Sequence, residues 1–236
     1  MRHLRCIMMI VVLASGCATA TQTPDVVFFL PGVAGDGFWY DGLKRGIREA
    51  NHSRQVLTVH WGAPGPLFSL NFSIKSIHDQ AERKLAEALI RHRARFPKGR
   101  IDLIAHSAGC GVGLGALAKV PEELQIRQVV LLAPSVSPQY ELSDALRRCK
   151  SMNVFTSTRD TTFLDWRTRH FGTYDRIKTK AAGNTGFDVT TLPYQLAGRL
   201  KQHPFDESHI HLGNNGGHFG AASRRFVASH VAPLFK

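Results

Sequence analysis

Residues 101–119 read IDLIAHSAGCGVGLGALAK. Ile101, Leu103, Ile104 and Ala105 belong to an apolar run that suits a strand buried on both faces of a parallel sheet. His106-Ser107-Ala108-Gly109 turns a corner, and the chain from there to about Val120 reads as a helix. A serine at such a corner holds its hydroxyl out over the sheet edge. Small residues at 105 and 109 let strand and helix pack close without a clash. The helix start offers N–H groups with no intrahelical partner and the positive end of the helix dipole, so negative charge developing at Ser107 is favoured. Gly109, Gly111, Gly113 and Gly115 each cost about 1 kcal/mol of helix propensity relative to alanine; close approach of the helix to the sheet is the expected return. GVGLGA from Gly111 also fits G-x-G-x-x-A, a dinucleotide pattern. It lies inside the helix rather than at the turn, and no acidic residue ends the next strand, so that reading is set aside.

Outward from this corner, strand and helix alternate. DVVFFLPG (25–32) reads as the first strand and GIREAN (46–51) as a short helix. RQVLTVHWG (54–62) is the second strand. Residues 73–97 form the clearest helix, with Ile77, Ala81, Leu85, Ala88 and Leu89 on one apolar face. Acidic residues come early in it and arginines late, as the dipole favours. RQVVLLAP (127–134) and MNVFTST (152–158) read as strands, with a helix over 141–150 between them. Beyond Phe187 the pattern weakens. A short helix is expected near 194–201, a last strand at SHIHL (208–212), and a C-terminal helix over 219–235. This alternation predicts an α/β fold with a mainly parallel sheet and helices on both faces. The segment after VVLLAP is too short for a large cap, whereas residues 161–208 are roomy enough to form a wall of a site.

Ala105-x-Ser107-x-Gly109, between a buried strand and a helix, resembles the nucleophile elbow of the α/β-hydrolase family. The resemblance covers most of residues 25–236, with Ala105 where glycine is usual. It implies the chain order serine, acid, histidine. His218, in GNNGGHFG, falls where the family's histidine does; His209 and His211 are rivals within the expected strand, and His106 is a neighbour of the nucleophile rather than a base. Asp160, in STRDTTF after the 152–158 strand, matches the acid position, with Asp165 and Asp175 as rivals and capping of the next turn as its structural alternative. The oxyanion donors implied are the backbone N–H of Ala108 and one from the loop after the first strand, where Pro31-Gly32 replaces the frequent His-Gly and Val33 is the choice. Phe38, Trp39 and Tyr40 follow, as pocket wall or as core. The activity implied is a serine hydrolase acting on a small-molecule or lipid ester through an acyl-enzyme. The alternatives are an acyltransferase or thioesterase on the same fold, or a non-catalytic binding scaffold.

The chain has 236 residues, 43% hydrophobic and 20% charged, which suits one globular domain. Residues 1–16 have a basic start and an apolar run too short to span a bilayer, as in a signal peptide. Ala14-Ser15-Gly16-Cys17 resembles the lipobox of a bacterial lipoprotein, which implies cleavage before Cys17, lipidation of its thiol and a polar tether over 17–24. Ordinary secretion, with cleavage after Ala18 or Ala20, is the alternative. Cys110 and Cys149 are expected at opposite edges of the sheet, too far apart to bridge, as two free buried thiols. The net charge of +12 favours anionic surfaces, and for an exported protein a membrane face or cell-wall polymer is a better match than nucleic acid. No cofactor is called for, and the histidines lack metal-ligand spacing.

Overall fold

A computed structural model describes residues 24–50, 54–63, 65–72, 74–190 and 192–236. The expected signal peptide, Cys17 and all but the last residue of the tether lie outside the described residues. Six parallel strands form one sheet: β1 (Val26–Leu30), β2 (Gln55–Thr58), β3 (Ile101–His106), β4 (Ile126–Leu132), β5 (Cys149–Thr156) and β6 (Leu200–Pro204), in the order β2-β1-β3-β4-β5-β6. In register, Leu30 stands beside Ala105 and His106 beside Leu132. The chain starts at β1, steps outward to β2, then crosses back to β3. The strand order therefore reverses between β1 and β3, and the strand ends there leave a crevice.

Period-two alternation divides the strand side chains between two cores. Val26, Phe28, Leu30, Leu103 and Val129 face α2 (Lys75–Arg95) and α3 (Ala108–Leu117). Val27, Phe29, Ile104 and Val130 face α1 (Asp41–Ala50) and the C-terminal segment carrying Phe226, Val231 and Phe235. The segment between β4 and β5 holds only α4 (Ser143–Arg147). Short helices α5 (Thr168–Phe171), α6 (Ala182–Thr185) and α7 (Tyr194–Ala197) lie between β5 and β6, and no large cap stands over the sheet edge among the described residues. Cys110 and Cys149 are free and buried, although Cys149 already belongs to β5.

The structure differs from the sequence expectation in four places. SHIHL is a 3-10 segment, Glu207–Leu212, not a strand. The Asp206 carboxylate accepts the Ser208 N–H at 2.8 Å and starts the turn, and Gly213 ends it at φ 87°. The sixth strand is instead LKQHP at the sheet edge, half-exposed and lacking an apolar run. The C-terminal helix is broken: Ser223 is extended, α8 (Arg224–Phe226) follows, and the backbone passes through a π turn into a 3-10 turn. Pro233 accounts for the last shift, since it donates no N–H and its ring would crowd the carbonyl four residues back. The glycines of α3 divide their work. Gly109 and Gly113 do face the sheet side, where added Cβ atoms would lie 2.4 Å from the Pro31 carbonyl oxygen and 3.2 Å from Leu103. Gly111 and Gly115 face away from it, where Cβ atoms would enter the Tyr174 ring and the Glu82 carboxylate, each at 2.3 Å. Every residue of α3 is buried, so close packing is needed on both sides.

Candidate active site

Ser107 stands at the end of β3 with φ 55° and ψ −127°, a left-handed conformation rare for a residue with a Cβ and costing about 1–3 kcal/mol. Surrounding bonds hold it there: its N–H donates to the Leu132 carbonyl at 3.0 Å, and its own carbonyl accepts from Ser135 and Cys110. Gly109 makes the corner possible, because its missing side chain would strike the Leu30 and Pro31 carbonyls at the end of β1.

His218 reaches Ser107 from the loop after the Glu207–Leu212 turn. Gly213 and Gly216, both at positive φ, bend that loop, and the Asn214 and Asn215 side chains accept the Gly216 and Gly217 N–H groups. The His218 Nε2 lies 3.0 Å from Ser107 Oγ, and its Nδ1 lies 2.5 Å from Asp160 Oδ2. An ionised carboxylate only accepts, so Nδ1 carries the ring proton and Nε2 accepts from the serine hydroxyl. Asp160 is 3% exposed, and its other oxygen accepts the Phe163 N–H at 3.2 Å. It therefore meets the histidine and also caps the next turn. Phe163 in turn stacks on the His218 ring at 4.5 Å. The rival residues stand elsewhere. Asp165 is bound by Arg169 and Lys180, Asp175 accepts from Ser137 and Thr173, and the His209 ring packs against Phe226 and His230.

A second chain of hydrogen bonds ties the first-strand loop to the histidine loop. The Gly32 N–H donates to Tyr40 Oη at 2.8 Å, Tyr40 Oη is 2.7 Å from His106 Nδ1, and His106 Nε2 is 2.8 Å from the His218 carbonyl. A carbonyl cannot donate, so the His106 proton sits on Nε2 and the tyrosine hydroxyl donates to Nδ1. Burial, with His218 nearby, lowers the His106 pKa to about 3, which keeps the ring neutral. Both of its nitrogens are occupied, so it is no base. The Val33 carbonyl accepts from Asn71 Nδ2 at 2.9 Å. Among the described residues, the Val33 and Ala108 N–H groups have no protein acceptor.

A cavity of about 310 Å³ opens over Ser107, lined by Val33, Trp39, Tyr40, Phe72, Phe163, Arg167 and Phe219, among others. Trp39 and Tyr40 line it, whereas Phe38 points to solvent. The sequence pattern gives no motif that marks Phe72, Phe163 or Arg167 as lining residues. Only the position of Phe163, three residues after Asp160, offered a signal. Among the described residues no group of histidine, cysteine and acidic side chains is placed to hold a metal ion.

A parallel sheet whose strand order reverses beside a serine on a left-handed strand-to-helix corner decides the architecture. The chain has the α/β-hydrolase fold. A solved esterase, PE8, is similar over 84% of this chain and 86% of its own at 13% identity, with a TM-score of 0.50. An extracellular α/β-hydrolase from a Paenibacillus species is similar over 89% and 97% at 10% identity, TM-score 0.49. An α/β serine hydrolase without lid from Xanthomonas campestris is similar over 90% and 83% at 15% identity, TM-score 0.46. No family model and no curated protein matches the sequence.

Proposed function

We propose that the protein is a serine hydrolase acting on carboxylic esters, with Ser107 as nucleophile, His218 as general base and acid, and Asp160 as the orienting carboxylate. The observation that carries this reading is the unbroken line of hydrogen bonds from Ser107 Oγ through both nitrogens of His218 to Asp160. In the first half-reaction Ser107 Oγ bonds to the ester carbonyl carbon while its proton passes to His218 Nε2. The carbonyl oxygen becomes an oxyanion within reach of the Val33 and Ala108 N–H groups. Collapse breaks the bond to the alcohol, which leaves with the proton from His218. Water then gives a proton to His218, attacks the acyl-enzyme and releases the acid, and the proton returns to Ser107. Asp160 stays ionised throughout, fixing the ring tautomer and balancing the imidazolium.

The test is hydrolysis of p-nitrophenyl esters of graded acyl length. Wild-type protein should turn over at least the shorter members, and Ser107→Ala should lower the rate about 10⁴-fold or more. A folded Ser107→Ala variant at the wild-type rate would contradict the assignment.

We further propose that the protein is exported and anchored through a lipidated Cys17, with a membrane as its partner. The sequence around Cys17 supports this, as do the net charge of +12 and the exposed Trp166 and Phe171 beside Arg169. Incorporation of labelled palmitate that is lost in Cys17→Ala is the expected result, and equal labelling of both proteins would overturn it. Among the described residues no helix is long and apolar enough to cross a membrane.

A further inference from the structure

Arg167 lines the cavity over Ser107, and it also borders the small cleft behind Ala108, Ser135 and Phe72. Its guanidinium carbon lies 3.5 Å from the centre of the Phe72 ring. Stacking fixes the face of a guanidinium and leaves its in-plane N–H rim free to donate. Among the described residues Arg167 has no carboxylate and no hydrogen-bond acceptor. The nearest acid in sequence, Asp165, is bound by Arg169 at 2.6 Å and by Lys180 at 3.0 Å. Burial draws the Arg167 pKa down to about 10, with no neighbouring anion to raise it again, so it is still charged at neutral pH.

Among the described residues, other partly or fully buried arginines have a carboxylate or carbonyl partner, although Arg54 leaves its buried Nη2 unbonded. Arg54 pairs with Asp102, Arg93 donates to the Pro97, Gly99 and Gln125 carbonyls, and Arg199 donates to the Leu146 and Cys149 carbonyls. The rest of the Ser107 cavity is mostly aromatic and apolar. A half-buried cation without a counter-charge is unfavourable in such a place unless a ligand brings one. A stacked guanidinium with a free rim matches the two oxygens of a carboxylate or phosphate, and such bonds are the stronger, charge-assisted kind.

We propose that the ester cleaved at Ser107 carries an anionic oxyacid group, a carboxylate or a phosphate, seated on Arg167. This rests on the ester-hydrolase reading and narrows its substrate class. The anion is a handle only. The bonds made and broken at the carbonyl are those already described, and the oxyacid group leaves unchanged on one of the two products.

Matched ester pairs test it with the full chain. Monomethyl adipate is compared with methyl 6-oxoheptanoate, which replaces its carboxylate by a methyl ketone. The second pair is 2-acetoxyethyl phosphate and its dimethyl phosphotriester. Wild-type kcat/KM should favour the charged member of at least one pair by about tenfold or more, the worth of one charge-assisted interaction. Preference in the first pair alone identifies a carboxylate, and in the second alone a phosphate. Arg167→Met, which keeps the stem and removes the charge, should bring the ratio near one, and Arg167→Lys should restore part of it. Ser107-dependent cleavage with no preference in either pair would overturn the proposal and leave the hydrolase reading intact. A preference that survives in folded Arg167→Met, or an equal loss on charged and neutral members, would overturn it as well. Failure of folded wild-type protein to cleave these esters and p-nitrophenyl acetate would instead refute the hydrolase reading, and this proposal with it.

Discussion

Asp102 and Asp160 are both buried aspartates beside the same sheet, and their surroundings are opposite. Asp102, near the start of β3, meets Arg54, Arg127 at 2.8 Å and the Gln128 N–H at 3.0 Å. It is 0% exposed. Asp160, beyond the end of β5, meets one imidazole and one backbone N–H and borders an open cavity. The arginines repeat the contrast, since Arg54 is paired with Asp102, whereas Arg167 lines the Ser107 cavity with no carboxylate partner among the described residues. Where the strands begin, charge is neutralised inside the protein. Where they end, it is left facing a space that a ligand can enter, which is where an α/β sheet places its chemistry.

Neutralising each aspartate should separate the two roles. Asp160→Asn should lower kcat for esters by about 10⁴-fold, because the wrong histidine tautomer is then favoured, with a modest change in stability. Asp102→Asn should do the reverse, costing about 3–5 kcal/mol in chemical denaturation by stranding Arg54, while the rate per folded molecule is kept. A normally stable Asp102→Asn protein that has lost its activity would contradict the division.

A smaller effect is expected at the link between the two loops of the site. Tyr40→Phe leaves the Gly32 N–H and His106 Nδ1 without their partner, a loss of about 1–3 kcal/mol by calorimetry. The same link gives a pH dependence. The His106 pKa is about 3 in the fold and about 6.5 in the unfolded chain, so below 6.5 the unfolded chain binds the extra proton. Stability is complete above 6.5 and falls as pH drops toward 3, by about 1.4 kcal/mol per unit from this group. His106→Gln should flatten that limb of the stability curve, and an unchanged slope would argue against a neutral buried ring. The mildest contrast lies within α3. Gly109→Ala drives a Cβ into two backbone carbonyls and should destabilise the protein clearly, whereas Gly113→Ala meets only the Leu103 methyl at 3.2 Å and should change the melting midpoint little.

Much of the fold was legible because the central strands are apolar runs and α2 keeps a clean helical period. The edge was not. Leu200–Pro204 carries too few apolar residues to announce a strand, while SHIHL alternates like one and is turned by Asp206 and Gly213 instead. Ser107 was legible because its corner demands small neighbours, and His218 because its loop demands glycines. Two of the four α3 glycines face away from the sheet, against the expectation, since Glu82 and Tyr174 come from distant segments that no local pattern connects. No local pattern in the sequence marks Arg167 as a residue of the site. Its place on the wall of the Ser107 cavity depends on its stacking against Phe72, which periodicity does not encode.

Ser107 as the activated nucleophile of this sheet edge is the assignment on which the proposed chemistry depends. Treating the folded protein with a fluorophosphonate probe and mapping the modified peptide tests it most directly. Stoichiometric modification of Ser107, abolished in Ser107→Ala and strongly slowed in His218→Ala, is the expected result. A folded wild-type protein that stays unmodified, or is modified at another residue with Ser107 intact, would contradict it.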